Sequence, residues 1–205
     1  MNRVEVKKRK QRSDKKRDVK PYLTLGLKRA FSRLSYITDM YEKDLAEDMI
    51  LYAINDSNIV SQFSLHFKHD VIINNTVYIG RLDNPQIAKR DNEDTDRIST
   101  RLKADDYEVI RALAFGLDCS VARVCALLIN ACMQDINFVN GYVKQCLSKS
   151  LTVHQMRELR NLLKSANKDA EGEHYSWGAL LSQIIDESPI ARIKDAVGIF
   201  ISKRK

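Results

Sequence analysis

Hydrophobic and polar residues alternate along residues 97–102, and this period of two predicts a short β-strand with two different faces. One face carries Arg97, Ser99 and Arg101, and the other carries Ile98, Thr100 and Leu102. Residues 104–114 then place apolar side chains at helical spacing. A second apolar helix is predicted to begin at Ser120, because serine is favoured at helix N-caps. The pattern predicts the order strand, helix, helix.

A weaker version of the same order lies nearer the N-terminus. Leucines alternate with other residues along residues 20–28, which predicts a second strand, and two helical segments follow. The second of these segments is predicted to begin at Asp44. Between the strand and this helix, Leu27 to Asp44 spans 17 positions, and Leu102 to Ser120 spans 18 in the other copy. We therefore predict a divergent tandem repeat.

Other segments complete the predicted organisation. Residues 63–82 alternate and turn at Asn74-Asn75, a pair that tolerates positive φ, so they predict a β-hairpin. Residues 84–96 are polar and indicate a linker. Further helices are predicted to begin at Thr152, Ser176 and Ser188. The expected fold class is mainly α, with a short β-ribbon, a β-hairpin and a C-terminal helical region.

Composition agrees with this prediction. The chain has 205 residues and is 44% hydrophobic, which is enough for one core or two small ones, and its 7 glycines and 3 prolines argue against a loop-rich sandwich. No stretch approaches the roughly 20 apolar residues of a membrane span. Residues 1–20 lack the apolar core of a signal peptide. These features predict a soluble cytoplasmic protein.

Positive charge is concentrated at the N-terminus. Residues 1–20 hold ten basic and three acidic residues, a net charge of +7, which equals the net charge of the whole chain. A flexible basic arm favours a polyanion through counterion release without reading sequence. It could equally be a solvated tail. A patch for anionic membrane is a third interpretation, weakened because no apolar or lipidated segment accompanies it.

Catalytic and metal-binding patterns are weak. Cys125 and Cys132 are seven residues apart on a predicted helix and are interpreted as buried thiols. His66 and His69 have a spacing that a metal could use on a helix, but the local pattern favours a strand and offers no clear third ligand. The sequence lacks a glycine-rich phosphate loop and a nucleophile elbow. We expect no enzyme activity, cofactor or metal.

Residues 97–134 resemble the MetJ/Arc-type ribbon-helix-helix superfamily of DNA-binding proteins. The resemblance implies two strands paired into an antiparallel ribbon above four interlocked helices. It also implies that alternate strand residues contact base edges and that the second helix holds a phosphate through its first N–H groups. The implied base contacts are Arg97, Ser99 and Arg101, and the implied phosphate contacts are Ser120, Val121 and Ala122.

The first copy departs from this pattern. Pro21 lacks a ladder donor and is expected at the end of the ribbon. Gly26 is expected at the position that Arg101 takes in the other copy, and Asp44 replaces the phosphate-binding serine. Tyr22 and Thr24 remain candidate base contacts. Lys20, Lys15, Lys16 and Arg17 are candidate phosphate contacts.

The predicted organisation is a disordered basic arm (1–19), a divergent ribbon-helix-helix copy (20–60), a hairpin with linker (61–95), a second copy (96–148) and a C-terminal helical region (149–205). The two strands would pair either within one chain, as a pseudo-dimer, or between two chains, as a homodimer, with higher assembly on DNA. The leading hypothesis is a sequence-specific protein for double-stranded DNA, a repressor of bacterial, phage or plasmid type associated with the nucleoid or a plasmid. The alternative is a protein-interaction or assembly module, such as an antitoxin, a segregation protein or a DNA-processing accessory protein, in which the ribbon-helix-helix is only a dimerisation core.

Overall fold

The computed structural model describes residues 16–88 and 94–169. They form a mainly helical structure with short antiparallel strand pairs. In chain order the elements are β1 (Arg17–Val19), β2 (Tyr22–Thr24), α1 (Leu25–Thr38), α2 (Glu42–Asn55), α3 (Ser57–Ser61), a 3-10 turn (Ser64–His66), β3 (Val71–Ile73), β4 (Thr76–Tyr78), β5 (Thr95–Arg97), β6 (Thr100–Leu102), α4 (Ala104–Gly116), α5 (Val121–Gln134), α6 (Ile136–Ser150) and α7 (Val153–Asp169).

Four of the strands form one ribbon within the chain. β1 pairs antiparallel with β6, and β2 pairs antiparallel with β5. Both pairs share one register, which runs from Arg17 opposite Leu102 to Thr24 opposite Thr95. Between them, Ile98 N donates to Pro21 O over 3.1 Å. Proline has no N–H to return, so the ladder is interrupted there while the two strands continue side by side.

The helices interlock beneath this ribbon. The main helix contact joins α2 to α5, and each of these helices also packs against the strand of the other half: α2 against β6, and α5 against β2. The largest fully buried side chains include Phe31, Leu45, Met49, Ile50, Leu102, Ile110, Leu113, Leu128 and Ile129. Each such side chain contributes about 1.5–3 kcal/mol relative to an exposed one. The core therefore joins two halves that are far apart in sequence.

In the first half, the first strand and the first helix both begin earlier than the leucine pattern predicts. The predicted arm 1–19 is too long, because Arg17–Val19 form β1. The predicted strand 20–28 ends at Thr24, whose side chain accepts a hydrogen bond from Leu27 N (3.4 Å) and caps α1. Leu27 therefore lies in a helix rather than a strand. The prediction failed because a strand and the first turn of a helix can both place leucines at alternate positions.

The start of α2 also differs from the prediction. Asp44 is not its N-cap: Tyr41 occupies that position without a side-chain cap, and Glu42 and Asp44 lie in the first turn. In the second half, Ser120 is the N-cap of α5, as predicted, and its side chain accepts a hydrogen bond from Arg123 N. Local capping chemistry was therefore a better guide in the second half than in the first.

The segment between the two halves contains the predicted hairpin. β3 pairs with β4, and Asn74 and Asn75 turn the chain with φ of 47° and 64°. β3 packs against α4, while the opposite face of the hairpin exposes Ile72 and Val77. His66 lies in the 3-10 turn, so the strand predicted at this position is wrong.

The C-terminal elements extend the helical core. α6 was not predicted as a separate helix; Asp135 ends α5 and caps α6, accepting from Asn137 N over 2.9 Å. Thr152 and Gln155 form the predicted capping pair at the start of α7, each accepting a hydrogen bond from the backbone N–H of the other. The predicted helix starts at Ser176 and Ser188 lie outside the described residues.

Within 16–88 and 94–169, no single helix combines the length and apolar character needed to cross a membrane. Taken together, α4 and α5 have the length and apolar composition of a membrane span, but the two helices meet at 97°.

Gly80 provides a test of the packing around the hairpin. A Cβ on Gly80 would overlap the backbone of His69, which cannot move as a side chain can. We expect Gly80→Ala to lower the free energy of unfolding by about 1–3 kcal/mol. Gly141 lies inside α6, and apart from its chain neighbours and the backbone of that helix, no described atom lies within 4 Å of such a Cβ. Gly141→Ala should therefore raise the free energy of unfolding by up to about 1 kcal/mol. Urea unfolding of both variants measures the difference, and equal effects would contradict this packing.

Candidate nucleic-acid interface

The ribbon has one apolar and one polar face. The inward face carries Val19, Pro21, Leu23, Ile98, Thr100 and Leu102, all buried. The one hydroxyl among them is satisfied, because Thr100 Oγ1 donates to Lys43 O over 2.9 Å. The outward face carries six exposed residues: Asp18, Lys20, Tyr22, Arg97, Ser99 and Arg101. The sequence-predicted base contacts Arg97, Ser99, Arg101 and Tyr22 are thus brought together on one surface.

The two halves are related by an approximate two-fold axis. Thr24 and Lys103 occupy the N-cap positions of the first helices, and Tyr41 and Ser120 occupy those of the second helices. In each pair, 79 positions separate the two members. The same offset makes Lys20 equivalent to Ser99. Continuing the register between Val19 opposite Thr100 and Tyr22 opposite Arg97 places Lys20 opposite Ser99 in the ribbon. A residue that faces its own equivalent marks the axis.

This equivalence corrects the sequence alignment of the two copies. Tyr22, not Gly26, takes the place of Arg101, and Gly26 lies in α1. Thr24 is half-buried and caps α1 with its hydroxyl, so it does not join the six outward residues.

Asp18 lies at the centre of the polar contacts on the outward face. Its carboxylate accepts a hydrogen bond from Ser99 Oγ (3.1 Å) and forms ion pairs with Lys20 Nζ (3.3 Å) and Arg101 Nε (4.0 Å). The hydrogen bond from Ser99, followed by the one from Lys20, lowers the pKa of Asp18 below its ordinary value of 3.8. Sequence reasoning missed Asp18 by counting it in the arm. The alternation of polar residues at 18, 20 and 22 was the signal that could have found it.

Removing the Ser99 hydroxyl should raise the pKa of Asp18 toward 3.8, because that hydrogen bond is the largest cause of the shift. The pKa can be followed by NMR titration of the Asp18 carboxyl carbon in Ser99→Ala. Ser148→Ala is the matched control, since Ser148 Oγ donates to Lys144 O within α6, away from the ribbon. An Asp18 pKa that is the same in wild type and Ser99→Ala would contradict the contact.

The two arginines of the outward face are held differently. The guanidinium carbon of Arg97 lies 5.4 Å from the centre of the Tyr22 ring, a cation–π contact that orients the side chain. The Arg101 side chain is 73% exposed, and its Nε lies 4.0 Å from Asp18 Oδ1. Both guanidinium groups thus lie on an accessible surface, where a hydrogen-bonding partner can reach them.

Two of the predicted phosphate contacts in the arm, Lys16 and Arg17, form ion pairs with the helical core. Lys16 Nζ lies 2.5 Å from Glu47 Oε1 on α2. Arg17 Nη1 lies 3.2 Å from Glu108 Oε1 on α4, and its guanidinium also covers the Tyr107 ring at 4.6 Å. These contacts fasten the start of the ribbon to both halves of the helical core. Lys15 lies outside the described residues.

The second helices differ in charge at their N-termini. The predicted phosphate contacts Ser120, Val121 and Ala122 lie at the start of α5, whose first turn has no acidic residue. At the equivalent end of α2, the Glu42 carboxylate accepts from Lys28 Nζ (2.5 Å) and Ser32 Oγ (2.6 Å), and Asp44 follows it. Negative charge favours the positive end of the helix dipole but repels phosphate. Of these two helix ends, that of α5 is the more favourable for an anion.

The cysteines and histidines are the other candidates for chemistry in the described part of the chain. All four cysteines are free, and burial raises the pKa of Cys125 and of Cys132 to about 12. His66 Nδ1 lies 3.0 Å from Pro85 O. Among residues 16–88 and 94–169, no three potential ligands are grouped to hold a metal ion. The outward face of the ribbon is the strongest candidate site.

Comparison of the chain with family models, curated proteins and solved structures finds no match. Its function must therefore be inferred from the geometry of the site.

Proposed function

We propose that this chain is a non-enzymatic, sequence-specific DNA-binding protein that reads the major groove with a two-stranded ribbon formed within one chain. The observation that carries the proposal is the outward face of the ribbon, where Arg97, Ser99 and Arg101 are exposed on a strand whose other face is buried. The major groove of B-DNA admits a two-stranded β-ribbon. A regulatory protein of the repressor type found in bacteria, phages or plasmids is the function we favour.

The architecture supports a ribbon-helix-helix assignment. Strand, helix and helix occur twice in the described chain, the two strands pair antiparallel, and each second helix packs beneath the strand of the other half. This arrangement resembles two ribbon-helix-helix subunits joined into a single-chain pseudo-dimer. Both strands of the outward face therefore lie on the helical core, which supports this proposal.

The chemistry of the outward face suits base recognition. An arginine can donate two hydrogen bonds to guanine O6 and N7, and a serine can donate or accept beside it. Donors at the start of α5 can hold a phosphate and set the position of the ribbon without reading sequence. We further propose that residues 1–15, with seven basic and two acidic side chains, add affinity for any DNA.

Deletion of residues 1–15 tests whether these residues supply affinity for any DNA while the ribbon recognises the base sequence. We expect weaker binding to selected and random duplexes alike, and a shallower dependence of the binding constant on salt, because each lost phosphate contact removes about 0.9 from the slope. The deletion stops before Lys16 and Arg17, which bind Glu47 and Glu108. Fluorescence anisotropy at several salt concentrations measures both effects.

The control is a full-length chain in which residues 1–15 are shuffled. It keeps the charge and should bind as the wild type does. A deletion that weakens only the selected duplex would contradict this role, since the arm would then be reading sequence.

A further inference from the structure

We infer that a single chain reads a non-palindromic DNA site and that Asp18 determines part of its specificity. The inference rests on the proposed function and extends it, because it names the symmetry of the site and a residue that sequence reasoning did not consider. It is carried by the outward residues that the approximate two-fold axis makes equivalent.

The ribbon backbone is symmetric but its outward side chains are not. By the 79-residue offset of the helix caps, Asp18 is equivalent to Arg97, Lys20 to Ser99 and Tyr22 to Arg101. A symmetric reader presents the same side chain at both ends and so selects a palindrome. Here each equivalent pair differs in kind, and the pair that includes Asp18 differs in the sign of its charge. The two halves of the bound site must therefore differ.

The exchange of aspartate for arginine reverses the hydrogen-bonding code. Arg97 offers only donors and suits guanine, whereas the ionised Asp18 offers only acceptors and suits the N4 amino group of cytosine. Guanine O6 and N7 are both acceptors and would be repelled by the carboxylate.

Contacts with neighbouring side chains orient the Asp18 carboxylate on the outward face. Ser99, Lys20 and Arg101 all direct donors at its carboxylate, which keeps it ionised and fixes it on the outward face. Its side chain remains 44% exposed, so one edge can still accept a bond from a base. Asp18 therefore has acceptor capacity to spare.

Selection from a pool of random DNA duplexes tests both parts of the inference, with three full-length proteins. Wild type should enrich a non-palindromic sequence. Asp18→Asn, which keeps the shape but adds donors, should lose about tenfold of its preference for cytosine at one base pair and move toward adenine, the usual partner of asparagine. The triple variant Asp18→Arg, Lys20→Ser, Tyr22→Arg carries the same outward residues on both strands, and it should enrich a palindrome.

The outcomes separate this inference from the proposed function. Failure of wild type to enrich any sequence would overturn the proposed function and the inference with it. A palindromic wild-type site would overturn the inference alone, since the protein would still be a DNA reader. A non-palindromic site that Asp18→Asn reads unchanged would overturn the role of Asp18. If the triple variant does not melt cooperatively by circular dichroism, wild type and Asp18→Asn decide the matter, because Asp18 is exposed and its replacement leaves the core intact.

Discussion

Replacing Arg97 or Arg101 with alanine should weaken binding to the selected DNA site by about 5- to 150-fold, which corresponds to the roughly 1–3 kcal/mol of discrimination from one bidentate arginine–guanine pair. Binding to random duplexes should change far less. Both guanidinium groups lie on the outward face of the ribbon, where they can meet base edges rather than the phosphates that dominate general affinity. The double variant should approach the affinity of the protein for random DNA.

Arg111 offers a matched control for the two ribbon arginines. It lies on α4, its side chain is 67% exposed, and its partner is Glu108. Arg111→Ala removes the same charge away from the ribbon, so the ratio of selected to random binding should stay at its wild-type value. Anisotropy titrations with both duplexes at one stated salt concentration give this ratio. If the ribbon variants lose equal affinity for the selected and the random duplexes, the arginines do not recognise bases. The assembly-module hypothesis would then be favoured.

Local patterns predicted the second half of the ribbon fold well. Alternation along residues 97–102 is typical of a strand with two different faces, and β6 lies within that range. β5 begins at Thr95, so the predicted linker 84–96 ends too late. Ser120 caps α5, and Thr152 caps α7, because a short oxygen-bearing side chain satisfies N–H groups that a helix leaves unpaired. Each of these signals lies within a few residues of the feature it predicts.

The first half needed information that is not local. Its strand is defined by a partner about 80 positions away, and the shared register, not the spacing of leucines, shows which residues face outward. Asp18 has no local mark of function: it becomes part of the candidate site only when Ser99 and Arg101 lie beside it. The choice between pairing within one chain and between two chains also depends on this long-range contact, which a pattern of residues cannot specify.

Leu23 tests the ribbon by its effect on stability. Leu23 and Leu102 occupy equivalent positions on the inward face and are 1% and 0% exposed. Replacing either with alanine leaves a cavity between the ribbon and the helices, so each change should lower the free energy of unfolding by about 2–5 kcal/mol. Leu25 continues the alternating leucines of the sequence but begins α1 and is 37% exposed. Leu25→Ala should cost less than about 1 kcal/mol.

Urea unfolding of the three variants measures these differences in full-length protein. Comparable losses at Leu23 and Leu102 would mean that both strands cover the same core, as the approximate two-fold axis requires. A neutral Leu23→Ala beside a destabilising Leu102→Ala would mean that the first strand does not pack on the helices. Lys20 and Tyr22 would then not belong to the outward face, and one chain could not form the asymmetric ribbon that is proposed to bind a non-palindromic site.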